Sequence, residues 1–215
     1  MAGLRGRTLE LGPGVTFLVG ENGSGKSTLV EAVATAAGFN AEGGSRNFRF
    51  ATRASESALG EALTLVRAPG KERSTFFLRA ETFYNVATEI ENLGIELDAY
   101  GGVSPHERSH GQSFLDLLTH RFHPRGLYLL DEPEAALSTQ GQLAALARID
   151  ELTRAGSQFL IATHSPILLA LPGARILEID DGGGLHTVPY DDALPVRAYR
   201  GFLADPERML RNLLG

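Results

Sequence analysis

The chain predicts an α/β fold in which a mainly parallel sheet is flanked by helices, and three observations carry that prediction. A buried apolar run, VTFLV at residues 15–19, passes through a glycine-rich turn from Gly20 to Gly25 into a helical pattern. Two later apolar runs, GLYLLDE at 126–132 and SQFLIATHSP at 157–166, end in polar residues. An amphipathic stretch with a glycine stop, TQGQLAALARIDELTRAG at 139–156, separates those two runs. In open sheets of this kind ligands sit beyond the C-terminal ends of the strands, so polar strand ends are where chemistry is expected.

The remaining elements follow in order. The helix after the glycine turn starts at Lys26 and closes at Gly38. NFRFAT (47–52) and ALTLVRA (62–68) read as strands of a small intervening region, expected to be antiparallel and joined by a polar segment. RSTFFLRAE (73–81) is a further strand, followed by a helix from about Thr82 to Leu93. Residues 94–111 hold glycines, a proline and charges and read as loop, before a helix from Gln112 to Phe122. ARILEID and GLHTVPY bracket DGGG as a hairpin, and polar helices run from there to the C-terminus.

Composition sets limits on function. The 215 residues are 43% hydrophobic and 21% charged, which suits one ordered globular domain. No run reaches the length of a bilayer span and none reads as a signal peptide, so a cytoplasmic location is the expectation. Cysteine is absent, which removes disulfides and thiolate chemistry. A formal charge of −6 argues against a general nucleic-acid binder, although Arg46, Arg49 and Arg53 form a local basic patch. That patch reads as an alternating strand face or as a phosphate contact.

GENGSGKST, residues 20–28, fits G-x-x-x-x-G-K-[ST] and lies between a predicted strand and a predicted helix. Backbone N–H groups of Asn22, Gly23, Ser24 and Gly25 can curl around phosphates, and Lys26 can set its ammonium against the β- and γ-phosphates. Ser27 offers a hydroxyl to Mg²⁺, while Thr28 suits a helix or phosphate contact. At the end of LYLL, Asp131 can hold Mg²⁺ and Glu132 can activate a water for in-line attack. His164 ends the next apolar strand, where an imidazole can meet the γ-phosphate or that water. Ser165 and Pro166 read as a helix start.

These elements together resemble ATP-binding-cassette type P-loop ATPases. Gly20–Thr28 matches the Walker A loop, Leu127–Glu132 the Walker B strand and His164 the switch histidine. SHGQ, Ser109–Gln112, is similar to the signature loop written Ser-Gly-Gly-Gln. More narrowly, the chain resembles compact bacterial ATPases related to the DNA-repair and chromosome-structure branch. The resemblance implies one ATPase domain over 1–215 with a reduced helical region at about 82–122, and ATP and Mg²⁺ as cofactors. It further implies head-to-tail pairing, in which Ser109, Gly111 and Gln112 of one copy close the nucleotide held by the Walker A loop of the other. The sequence departs from that pattern in three places. His110 replaces a glycine, Arg108 replaces a leucine, and Ser138 stands where the D-loop aspartate is expected. Glu81 lies near the place of the missing Q-loop glutamine.

The span between Glu81 and Ser109 is short for the helical lobe that transporter ATPases present to their membrane partners. The expectation is therefore a soluble ATPase that forms a homodimer on binding ATP, with nucleic acid or an unidentified protein as partner and a membrane transporter disfavoured. Energising a transporter, or serving as a dimerisation switch with little turnover, are the alternatives.

Overall fold

The computed structural model describes residue 6 and residues 8–40, 43–44, 58–67, 70, 72–80 and 108–214. The NFRFAT segment, the stretch from Thr82 to Leu93, Glu81 and the Arg46, Arg49 and Arg53 patch lie outside the described residues. Six strands among the described residues form one sheet: β1 (Val15–Gly20), β2 (Ser74–Arg79), β3 (Gly126–Asp131), β4 (Gln158–Ala162), β5 (Arg175–Ile179) and β6 (Leu185–Val188). Their order is β2-β3-β4-β1-β5-β6, and every neighbouring pair is parallel except the β5–β6 hairpin. The fold class is the expected one.

The helices are α1 (Lys26–Ala36), α2 (Ala58–Ala62), α3 (His110–Asp116), α4 (Thr139–Arg154), α5 (Pro166–Leu169), α6 (Leu194–Ala204) and α7 (Pro206–Leu214). β1 is buried along its whole length, and its alternate side chains enter two separate cores. On one face Phe17 and Val19 join Phe76, Tyr128, Phe159 and Ile161 beneath α3, α4 and α6. On the other, Leu18 joins Phe77, Leu129, Leu160 and the α1 residues Leu29, Val30 and Val33. Each such side chain contributes about 1.5–3 kcal/mol on burial. This two-faced burial holds the strand ends rigidly in line, and the polar residues that follow inherit their positions from it.

Three expectations need correction. ALTLVRA is not a strand: α2 ends within it, and Leu63–Arg67 has no ladder. Leu63 and Leu65 are half-buried against the α1-side core while Thr64 and Val66 face outward. An extended segment lying on a helix layer shows the same alternation as a strand, so the pattern misleads. The helix expected from Gln112 starts at His110, and its last turn widens into a π-turn at Leu117–Arg121. There Arg148 of α4 donates to the carbonyls of Leu118, Thr119 and Phe122 at 3.2, 3.3 and 3.0 Å, replacing the lost helical donors.

The C-terminal helices are amphipathic, not polar. Tyr199, Phe202 and Leu203 on α6 and Met209, Leu210, Leu213 and Leu214 on α7 are exposed. Their spacing gathers them on one side of each helix, while the interspersed arginines and acids give the segment a polar average. Among the described residues no helix is long and apolar enough to cross a membrane.

Candidate functional site

The glycine loop is built by backbone angles that a side chain would obstruct. Gly20 has φ 149°, and a Cβ there would lie 2.7 Å from the Ile179 carbonyl oxygen and 2.8 Å from Ser24 Oγ. Gly23 and Gly25 are both left-handed, at φ 81° and 98°. Inside this turn the Lys26 ammonium donates to the carbonyls of Gly20 and Glu21, each at 3.0 Å. Burial pulls the Lys26 ammonium below its ordinary pKa, while the Glu132, Asp131, Glu21 and Glu134 carboxylates pull it back up. Ser24 Oγ is buried and has no hydrogen-bond partner among the described residues, so the loop offers a polar atom of the kind a phosphate oxygen would satisfy. Ser27 is half-buried at the start of α1, whereas Asn22 and Thr28 are exposed.

β3 delivers two consecutive carboxylates that diverge. Asp131 closes the strand at 6% exposure. Glu132 turns into the left-handed region, φ 51°, while its N–H still donates to the Ala162 carbonyl at 2.9 Å. Beyond this backbone reversal Pro133 opens a short 3-10 turn, Pro133–Ala136. An αL residue other than Gly, Asn or Asp is uncommon and carries strain, which is a mark of functional sites.

His164 follows β4, and its Nε2 lies 3.8 Å from Glu132 Oε1. Its backbone N–H donates to the Glu134 carboxylate. Glu134 thus joins the candidate site although nothing in the sequence analysis singles it out; the signal is its place one residue beyond Pro133, where the 3-10 turn brings its carboxylate to the β4 exit. Ser165 caps α5 by accepting from Ile167 and Leu168 and donates its hydroxyl to Gln142 on α4. A further missed residue is Arg79, whose guanidinium meets Glu31 on α1 and Asp131.

Ser109 caps α3 in a reciprocal box: its Oγ accepts from the Gln112 N–H at 3.3 Å, and Gln112 Oε1 accepts from the Ser109 N–H at 3.2 Å. The hydroxyl also donates to Gln112 Oε1, so both polar ends of the loop are satisfied locally. Gly111 approaches this chain's own backbone: a Cβ there would lie 2.8 Å from the Ala136 carbonyl oxygen. His110 occupies the first turn of α3, and Arg108 is paired with Asp116 at 3.0 Å. Ser138 caps α4 through the Gly141 N–H at 3.2 Å, a reason for serine there that needs no D-loop.

The donor set fits a nucleotide-bound Mg²⁺ better than an all-protein metal cage. Among the described residues no group of three His, Cys, Asp or Glu side chains gathers as a cage. One carboxylate, Asp131, and one hydroxyl, Ser27, are what a Mg²⁺ that keeps its waters and phosphate oxygens requires.

Residues 2–92 match the family described as "AAA domain", and residues 63–170 match the family described as "AAA domain, putative AbiEii toxin, Type IV TA system". The chain is 31% identical over 189 residues to the cytochrome c biogenesis ATP-binding export protein CcmA of Cupriavidus necator, covering 81% of this chain and 80% of that protein. It is 28% identical over 206 residues to the pyoverdine export ATP-binding/permease protein PvdT of Pseudomonas entomophila, covering 83% of this chain. The match spans 30% of PvdT's own length. Among solved structures, the SMC head domain from Thermotoga maritima aligns with a TM-score of 0.46 at 15% identity, over 84% of this chain and 92% of that one.

These relatives overturn the ranking of partners. A membrane transporter is disfavoured by the short span between Glu81 and Ser109, yet both curated relatives are export proteins. The length argument fails physically because docking a membrane partner needs exposed surface, not a long lobe. Most of that span also lies outside the described residues.

Proposed function

Because the chain belongs to the AAA/ABC-type P-loop ATPases, ATP-hydrolysing enzymes that include transporter ATPase subunits, we propose that it is the ATP-binding subunit of a membrane export system. One observation carries the assignment of the site: Lys26, Asp131, Glu132 and His164 converge where adjacent parallel strands end.

In this reading the backbone of residues 22–28 cradles the phosphates. Lys26 leaves the Gly20 and Glu21 carbonyls for the β- and γ-phosphates, so an ammonium already held in the loop is transferred to its substrate without a long search. Ser27 and Asp131 would hold Mg²⁺ arriving with the nucleotide, which would supply charge neutralisation for the transferring phosphoryl group. Glu132 orients a water for attack on the γ-phosphorus and takes its proton, while the bond to the β-phosphate oxygen breaks to leave ADP. His164 steadies Glu132 or the γ-phosphate, and Glu134 anchors the His164 backbone.

The finer part of the proposal is the pairing of heads. The α3 N-terminus with Ser109, Gly111 and Gln112 presents a capped, exposed loop suited to an anion, and its resemblance to the signature motif supports closure over the nucleotide of a second head. Export is supported by both curated relatives, of which CcmA is matched over most of its length.

Glu132→Gln tests the chemistry. ATP affinity should stay within about threefold while turnover falls by about 100-fold or more; unchanged turnover removes Glu132 from its role. The same variant tests the export reading. Loaded with ATP, it should sediment with membranes of its own cell more than without ATP, and equal partition with and without nucleotide counts against an export partner.

A further inference from the structure

Arg79 ends β2 directly beside Asp131. The two are register partners across a parallel pair, so their side chains leave the sheet on the same side. Arg79 Nε lies 3.6 Å from Asp131 Oδ2, and Nη1 donates to Glu31 Oε2 at 3.2 Å. The side chains of Arg79, Glu31 and Asp131 are only 19%, 15% and 8% exposed. Glu31 stands one helical turn beyond Ser27 on α1, so the two share a helix face. A single planar cation therefore ties the strand end that carries Asp131 to the helix that carries Lys26 and Ser27.

The residue type suits the task. Two largely buried carboxylates repel each other unless a cation stands between them. A guanidinium is permanently charged and offers its donors in a rigid fork, so it can address Glu31 and Asp131 together with a fixed geometry. An ammonium at the same place is a point charge on a flexible stem and would order the pair less.

We propose that Arg79 is a positioning residue for the metal: it fixes the Asp131 carboxylate relative to Ser27, so that Mg²⁺ arriving with the nucleotide meets two ordered oxygens. The proposal rests on the assignment of Asp131 and Ser27 as ligands. Two effects of Arg79 on the cation oppose each other. Its charge repels Mg²⁺, and its grip orders a ligand. Removal of an outer-shell partner typically costs about 10–100-fold in metal affinity. The proposal holds that the ordering outweighs the repulsion, which fixes the sign of the test.

The test needs no turnover. A fluorescent, non-hydrolysable ATP analogue is titrated onto the protein at increasing Mg²⁺. In Arg79→Ala the Mg²⁺ concentration for half-maximal tightening should rise about 10–100-fold, with the Mg²⁺-free affinity unchanged. Arg79→Lys and Glu31→Gln should raise it by smaller factors. An unchanged or lowered Mg²⁺ requirement in Arg79→Ala overturns the proposal. Should Arg79→Ala not fold, the two milder variants decide, and no rise in either overturns it. Asp131→Asn separates this proposal from its foundation. If Asp131→Asn abolishes the Mg²⁺ response and the Arg79 variants do not alter it, the positioning role alone falls. If Asp131→Asn also leaves the response untouched, the ligand assignment falls and the positioning role with it.

Discussion

Lys26 is held between opposed forces, and the opposition can be measured. The residue is nearly inaccessible, at 4% exposure, and burial outweighs four neighbouring carboxylates to bring its pKa below the ordinary lysine value. The folded chain therefore gives up this proton at lower pH than the unfolded chain does. Through the alkaline range below the ordinary lysine value of 10.5 the unfolded state binds more protons, so stability rises with pH there. The penalty is fully present below the folded pKa and gone above the unfolded one. Urea unfolding measured from neutral pH into that range should show this rise, and Lys26→Met should flatten it. A rise of equal slope in both proteins would assign the effect to other groups. The same substitution removes the phosphate contact, so weak ATP binding and a flatter pH response should appear together.

At the scale of elements, β3 shows how local packing supports the site. Tyr128 stacks on Phe122 with ring centroids 4.0 Å apart, and its hydroxyl accepts from the His123 N–H at 2.6 Å and donates to the His123 carbonyl at 2.7 Å. Gly126 has no side chain because a Cβ would lie 2.3 Å from the Tyr128 ring and hydroxyl. Tyr128→Phe keeps the stack, strips the His123 N–H of its acceptor and leaves the His123 carbonyl with the Ser157 hydroxyl at 3.2 Å, so stability should drop by about 1–3 kcal/mol. ATP affinity should be unchanged, because Tyr128 lies in the first half of the strand and Asp131 at its far end; a parallel loss of affinity would show that the strand start and the site are coupled. β1, β3 and β4 were legible because apolar runs buried on both faces and stopped by charge have few other readings. Asp131, Glu132 and His164 were legible for the same reason, since each interrupts such a run, and the loop at 20–28 was legible from its glycine and Lys-Ser spacing between a strand and a helix. ALTLVRA was not, since Leu63 and Leu65 alternate against a helix layer instead of a neighbouring strand. Arg79 and Glu134 were hidden because their meaning lies in partners far along the chain, Glu31 for one and His164 for the other. The apolar sides of α6 and α7 were masked by the arginines between them.

For the molecule as a whole, the sheet sets every proposed phosphate-handling group at one edge, with α1 on one face and α3 and α4 on the other. The signature-like loop meets that edge where Gly111 lies against the 3-10 turn, and Ser109 and Gln112 satisfy each other in the α3 cap. If two heads pair head to tail, each nucleotide is closed by Lys26 of one copy and Ser109 of the other, which makes the two defects complementary. Lys26→Ala removes the ammonium that holds the phosphates, and Ser109→Glu sets a negative charge where a phosphate must dock. Each variant alone should be inactive. In a mixed pair, one site combines both defects, and the other combines an intact loop with an intact Ser109. Random pairing of equal amounts makes half the dimers mixed, each with one good site of two, so about a quarter of wild-type activity should return. A head that completes its own site gives no recovery at any ratio, because neither variant chain contains a whole one. Activity that appears only on mixing, and in neither variant alone at the same total protein concentration, separates restored sites from trace wild-type contamination.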